Sequence, residues 1–416
     1  MSLRIFALVG FILIHSLSAG QVSSDINIMR SRGEDLVIKI VTIGPGDDLT
    51  TWWGHTGVVV ENKKSDISRF YNYGLYSFEQ KNFFTNFAMG RLIFWVGSWD
   101  TEAALAYYVS LNREIRIQIL DLSPEKLTEI ATLLAINILP ENREYLYDHY
   151  RDNCSTRVRD LLDKVLNGQI YSQTQIPSTM TFRDLTRRCT DQHFMVDWLL
   201  MFLMNDSIDK EIRRWDEMFL PEELERNLDE LTYKDDSGFT RKLVERHYTY
   251  YHAKDRRALP EGVPVHWPMG LVIGFISAGI SVVLALGYKR QIKSMRQLFG
   301  IYHIMIGIVY GIPGLALFFM SFFTDHVVTY HNENLLLANP FTFLLIIFGI
   351  GILVNSSFCI KWSKMLWYFL CGLNMILLVL KIFPAFDQHN WLSIAMIVPL
   401  NFAMAYSWNM IMTIKT

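Results

Sequence analysis

The stretch from Tyr145 to Gly168, YLYDHYRDNCSTRVRDLLDKVLNG, carries the densest local signal in the chain. Val158, Leu161, Leu162 and Val165 fall at i, i+3, i+4 and i+7, the spacing of one buried helical face, and Gly168 is a helix stop. Asp152 and Asn153 both qualify as the N-cap. Cys154 therefore falls in the first helical turn, where unpaired backbone N–H groups and the positive end of the helix dipole stabilise an anion. A thiol there is biased toward thiolate, and the same amides can serve an oxyanion during attack on an acyl group.

Working upstream, Gly54-His55-Thr56-Gly57 opens a β-branched run and follows Trp52 and Trp53. An imidazole held rigidly at the start of a strand can take a thiol proton and later deprotonate an acceptor. Asn72, on the next strand, can orient the ring. Plainer readings stand beside this one: a histidine next to a strand is often structural, and an exported cysteine is often in a disulfide, here with Cys189.

The region around these motifs mixes strand and helix signals. Leu36 to Ile43, His55 to Glu61, Arg69 to Tyr73, Leu92 to Val96 and the alternating Ile115, Ile117 and Ile119 read as strands. Ser123-Pro124-Glu125 starts a helix, with serine as N-cap and proline at the first helical position. An α+β domain over about residues 34–257 is expected. Its mixed-charge stretches Asp184 to Thr190 and Lys210 to Asp229 read as solvated helices.

Composition requires a second kind of part. Of the 416 residues, 51% are hydrophobic and 19% charged, too apolar for an ordinary soluble protein and too charged to lie wholly in a membrane. Met1 to Gly20 reads as a signal peptide, with Arg4, an apolar core from Ile5 to Ile14 and the small residues Ser18-Ala19-Gly20. After an interfacial linker at 258–267, five apolar runs over residues 268–412 have spanning length: Pro268 to Tyr288, Gln297 to Phe323, Phe341 to Cys359, Met365 to Phe383 and Trp391 to Met412. Lys289, Arg290, Lys293, Arg296, Lys361, Lys364 and Lys415 fall in loops on one side; the opposite loops, 324–340 and 384–390, hold no Lys or Arg. That asymmetry places the preceding domain outside the cytoplasm, as the signal peptide does. Tyr248, Tyr250, Tyr251 and Trp267 read as an interfacial aromatic belt. A net charge of −2 gives no electrostatic ground for nucleic-acid binding. Four cysteines without metal-like spacing, and an Asp325/His326/His331 set matching no metal motif, point to no metal.

Three motifs in order, Gly54-His55-Thr56, Tyr71-Asn72-Tyr73-Gly74 and Asn153-Cys154-Ser155-Thr156-Arg157 after a Tyr-rich run, resemble the periplasmic domain of bacterial lipoprotein N-acyltransferases of the Lnb kind. In that family a thiol-dependent domain precedes a five-helix membrane unit. The loop His326 to Pro340 resembles the family's second motif block. The domain is similar to permuted papain-like folds of the NlpC and lecithin:retinol acyltransferase type, in which the His strand precedes the Cys helix. The resemblance implies an α+β, permuted papain-like periplasmic domain and an all-α five-helix transmembrane bundle, in a bacterial inner membrane.

It also implies a cofactor-free reaction in which Cys154, His55 and Asn72 move an acyl chain from a membrane phospholipid to a diacylated lipoprotein. Trp53, Tyr73 and Tyr150 would line the acyl channel, and Arg157 with Arg159 would hold a lipid phosphate. His326, His331, Asn332 and Asn334 would close the site from a membrane-side loop. Two rivals share the sequence: a membrane-anchored cysteine peptidase or amidase acting on cell-wall peptides, and a non-enzymatic lipid- or lipoprotein-binding membrane protein with a structural Cys154.

Overall fold

The computed structural model describes residues 25, 28, 31–77 and 82–412, so the signal-peptide segment lies outside the described residues. The described residues divide into two compact units, one running up to residue 87 and including 91–182 and 211–259, the other of 88–90, 183–210 and 260–412. The contiguous 34–257 domain expected from sequence is thus corrected: residues 183–210 fold with the apolar helices.

The first unit is built on a seven-stranded antiparallel sheet. Its strands are β1 (Leu36–Ile43), β2 (His55–Asn62), β3 (Ile67–Leu75), β4 (Ile93–Asp100), β5 (Ile115–Leu120), β6 (Glu144–Leu146) and, after a small β7 (Thr232–Lys234) and β8 (Thr240–Lys242) hairpin, β9 (Val244–Tyr251). The order is β6-β4-β3-β2-β1-β5-β9. The sheet is buried on both faces, which is why Val58-Val59-Val60 is a continuous apolar run. Val58 and Val60 join Ile38, Ile40, Tyr71, Leu134, Val158 and Leu162 in one core. Val59 joins Val41, Phe70, Leu105 and Tyr108 in the other. Helices Pro124–Asn137, Cys154–Val165 and Pro221–Glu230 supply the first core, and helix Thr101–Ser110 the second.

Tyr248, Tyr250 and Tyr251 lie on β9, where Ile117 pairs with Tyr248 and Ile115 with Tyr251. The solvated-helix reading of Asp184 to Thr190 fails. Helix Phe182–Thr190 buries Arg183 and Arg188, and Arg183 forms an ion pair with Asp209 at 2.5 Å. Likewise helix Pro221–Glu230 buries Leu224 and Leu228 and is a core element.

In the second unit, four described helices are long and apolar enough to cross a membrane: Trp267–Lys289, Lys293–Phe323, Ser357–Leu380 and Trp391–Met412. A fifth span results only if Val327–Leu336 and Pro340–Leu353, bent by 52°, are counted together. The expected span from Phe341 to Cys359 is cut short by turn chemistry inside the apolar run. Asn355 takes a left-handed φ of 60°, and Ser356 then caps the next helix at Cys359 N. Three buried polar side chains inside these helices are paired with one another or with indoles: His303 Nε2 accepts from the indoles of Trp367 (3.0 Å) and Trp408 (3.2 Å), and Asn401 Nδ2 donates to Asn374 Oδ1 at 2.8 Å.

Candidate active site

Asn153, not Asp152, is the N-cap of helix Cys154–Val165. Its Oδ1 accepts from Ser155 N (2.8 Å) and Thr156 N (3.0 Å), and its own N–H donates to Thr156 Oγ1 (2.8 Å), closing a capping box. Its amide nitrogen ties the cap to the carbonyls of His149 (2.7 Å) and Phe219 (3.0 Å). Cys154 is consequently the first helical residue, in a fixed orientation. The buried hydroxyls of Ser155 and Thr56 join this helix to β2, one residue beyond His55.

His55 opens β2, and Asn72 lies on β3, where Gly57 pairs with Asn72. His55 Nε2 is 2.8 Å from Asn72 Oδ1, and Asn72 Nδ2 donates to the Tyr108 hydroxyl at 3.2 Å. Since an amide oxygen only accepts, this contact places the ring proton on Nε2 and leaves a lone pair on Nδ1. A Cβ added at Gly74 would lie 3.7 Å from His55 Cε1 and 3.9 Å from Cys154 Cβ, so the two candidate groups both lie beside this residue. Gly74 holds φ +108°, a conformation that excludes other residues without strain. The β3–β4 register is irregular there.

Electrostatics correct the expectation of a resting thiolate. Burial raises the Cys154 thiol above its usual range and outweighs the N–H groups of Thr56, Ser155 and Cys154 and the Ser155 hydroxyl, which favour the anion. His55 is lowered to about 3, first by burial and then by the charge of Arg113, against the Asn72 hydrogen bond. The resting pair is thiol and neutral imidazole. The Ser155 and Thr156 amides serve Asn153, and the Ser155 amide also favours the Cys154 anion together with the N–H groups of Cys154 and Thr56.

Among the other expected site residues, Trp53 packs edge-on against His149 at 4.9 Å, with its indole N–H buried and unpaired. Tyr73 is a core residue whose hydroxyl accepts from Asn137 Nδ2 at 2.8 Å. Tyr150 is buried against Phe182 and Phe219. Arg157 is engaged twice, by Asp152 at 2.5 and 2.7 Å and by the Tyr145 ring at 4.1 Å, and Arg159 lies 3.9 Å over Trp215. His326 and His331 belong to the second unit, where His331 is exposed.

Asn332 and Asn334 are structural. Asn332 Nδ2 donates to the carbonyls of Phe202 (3.2 Å) and Leu203 (3.0 Å), and its Oδ1 accepts from Gln388 Nε2 (3.0 Å). Asn334 Nδ2 donates to Phe202 O (2.8 Å), and its Oδ1 accepts from Asn390 Nδ2 (3.0 Å). Sequence reading missed Gly74 as a spacer, Tyr108 behind Asn72, and His149, whose buried ring is lowered to about 4 by burial, against the charge of Asp148. Gly74 at the end of a quoted motif was the available signal. Cys154 is a free thiol, which removes the disulfide alternative.

Residues 27–188, which contain His55, Asn72 and Cys154, match the family model described as the Lnb N-terminal periplasmic domain. That stretch is an Lnb N-terminal periplasmic domain. No curated protein and no solved structure matches the chain. The Lnb domain is mixed α/β and periplasmic, and is followed by a helical region with four to five apolar spans.

Proposed function

We propose that this protein is a lipoprotein N-acyltransferase of the inner membrane, with its thiol domain in the periplasm. The observation that carries the reading is that His55, oriented by Asn72 at 2.8 Å, and Cys154 both lie within 4 Å of the position a Cβ would take at Gly74. A histidine strand preceding a cysteine helix also supports the permuted papain-like comparison. In the first half-reaction His55 Nδ1 takes the Cys154 proton as the sulfur attacks an acyl ester of a phospholipid. The tetrahedral oxyanion faces the N–H groups of Cys154 and Thr56. Collapse breaks the ester C–O bond, and His55 protonates the departing lysophospholipid oxygen, leaving a thioester.

In the second half-reaction the α-amine of S-diacylglyceryl-cysteine attacks the thioester. His55 accepts the amine proton and returns it to the sulfur, giving an amide and a free thiol. Thioester to amide is downhill, so the acyl transfer draws on no nucleotide. Apolar spans suit substrates whose acyl chains are each stabilised in lipid by about 0.8 kcal/mol per buried CH₂.

Incubation of the full chain with acyl-labelled phospholipid tests the reading. A hydroxylamine-labile acyl group on Cys154 and conversion of diacylated to triacylated lipoprotein by mass spectrometry are expected. Continued conversion by Cys154→Ala would sink it, and cleavage of a cell-wall peptide without acyl capture would favour the amidase alternative.

A further inference from the structure

Arg113 follows helix Thr101–Ser110 and is 4% exposed. Its Nε donates to the Gly44 carbonyl at 2.8 Å, while Nη2 is buried without a hydrogen-bond partner. Among the described residues no carboxylate forms an ion pair with it; the nearby Asp47 is bound bidentately by Arg256 at 2.9 and 3.0 Å. A buried guanidinium without a counter-ion is expensive and calls for a compensating negative charge.

The geometry behind the dyad indicates where that charge arises. The Arg113 guanidinium lies 5.5 Å over the Tyr108 ring, and Tyr108 lies 6.1 Å from the His55 ring, centroid to centroid. The Tyr108 hydroxyl accepts from Asn72, which holds His55. Arg113 also interacts electrostatically with Cys154. The other titratable groups facing Cys154 are His55 across Gly74 and the phenols of Tyr108, Tyr145 and Tyr147. Burial raises all three phenols, so they stay uncharged. Arg113 itself is faced by Tyr107, Tyr108, Arg256, Cys154, His55 and, beyond its ion pair with Arg256, Asp47.

We propose that Arg113 is the standing positive charge that stabilises the anionic states of Cys154, its thiolate and the oxyanion of its tetrahedral adduct. It acts through space, as a positioning and electrostatic residue behind Tyr108, and touches no substrate. In a low-dielectric interior such a charge favours an anion several ångströms away far more than it would in water. The inference rests on Cys154 being the nucleophile of the reaction above, and not on which ester donates.

The test is iodoacetamide alkylation of Cys154 in the full chain in detergent, followed by peptide mass spectrometry from pH 5 to 10. The thiolate forms a C–S bond, iodide leaves, and buffer takes the proton. Arg113→Met is expected to move the midpoint up by about one pH unit and slow alkylation at neutral pH about tenfold. Arg113→Lys, which keeps the charge, should retain the wild-type profile. A wild-type midpoint in Arg113→Met, or an equal shift in Arg113→Lys, overturns the inference.

If either variant does not fold, the wild-type protein decides. Relative to free cysteine, Cys154 should react faster with the negatively charged sulfonatoethyl methanethiosulfonate than with the positively charged trimethylammonioethyl reagent. An equal or reversed preference overturns the inference. A Cys154→Ala protein that still triacylates lipoprotein would instead remove the nucleophile itself, so the two failures are distinct.

Discussion

The hydroxyls of Ser155 and Thr56 meet 2.8 Å apart, and neither residue is exposed to solvent. This contact ties the helix that carries Cys154 to the strand that opens with His55. A thermal-unfolding double-mutant cycle of Ser155→Ala and Thr56→Val should show a coupling of about 0.5–1.5 kcal/mol. Each single variant should lose more turnover than stability, because it leaves one buried hydroxyl unpaired and frees the helix to shift. Additive stabilities with unchanged turnover would contradict that role.

Replacement of His55 by Ala is expected to reduce acyl transfer by about 10²–10⁴-fold, the usual contribution of a general base. Asn72→Leu should lose less and leave KM nearly constant, since it disturbs ring orientation rather than substrate contact. Steady-state transfer to a diacylated peptide measures both, and a large rise in KM for Asn72→Leu would argue for direct binding instead.

Gly74→Ala should be the most informative small change. At φ +108° an alanine is strained by about 1–3 kcal/mol, and its methyl would stand against both His55 and Cys154. A lower Tm together with slower acylation is expected. Unaltered acylation would show that this position does not separate the two groups.

Acid should destabilise the Lnb domain through its buried rings. His55 and His149 are lowered to about 3 and 4 in the folded protein, from an ordinary value of 6.5. Above that ordinary value both states are neutral and the rings contribute no pH dependence. As pH falls below it the unfolded chain takes up protons that the folded protein refuses, so stability declines, by at most about 1.4 kcal/mol per pH unit per ring. His149→Gln should flatten this limb between pH 6.5 and about 4 in denaturation series, and an unchanged slope would refute the assignment.

Asn332→Ala should behave as a structural lesion. It leaves the carbonyls of Phe202 and Leu203 and the Gln388 amide without their partner, and should lower stability by about 1–3 kcal/mol. Transfer per folded molecule should be retained. A specific loss of lipoprotein binding in a fully stable Asn332→Ala protein would restore the substrate-contact reading.

What could be read from sequence was whatever has a local signature. The helix after Cys154 and the strands bearing His55 and Asn72 follow from periodicity, capping and β-branching, which are short-range. A resting thiolate was expected from the helix terminus alone. Burial, which depends on the whole fold, reverses that balance and raises the thiol. Tyr73 and Tyr150 look like pocket aromatics until their rings are seen filling the core. Arg113 has no motif around it, and only the turn after helix Thr101–Ser110 brings it behind Tyr108. The capture of residues 183–210 by the second unit was hidden because mixed-charge composition says nothing about tertiary partners.

That capture has a consequence for biogenesis. Residues 88–90 and 183–210 precede in the chain residues 260–412, with which they pack. Trp198 and Phe202, deeply enclosed in the finished protein, are therefore made before the helices that cover them. A fragment ending near residue 259 would leave both side chains uncovered, which predicts that it aggregates more readily than the full chain.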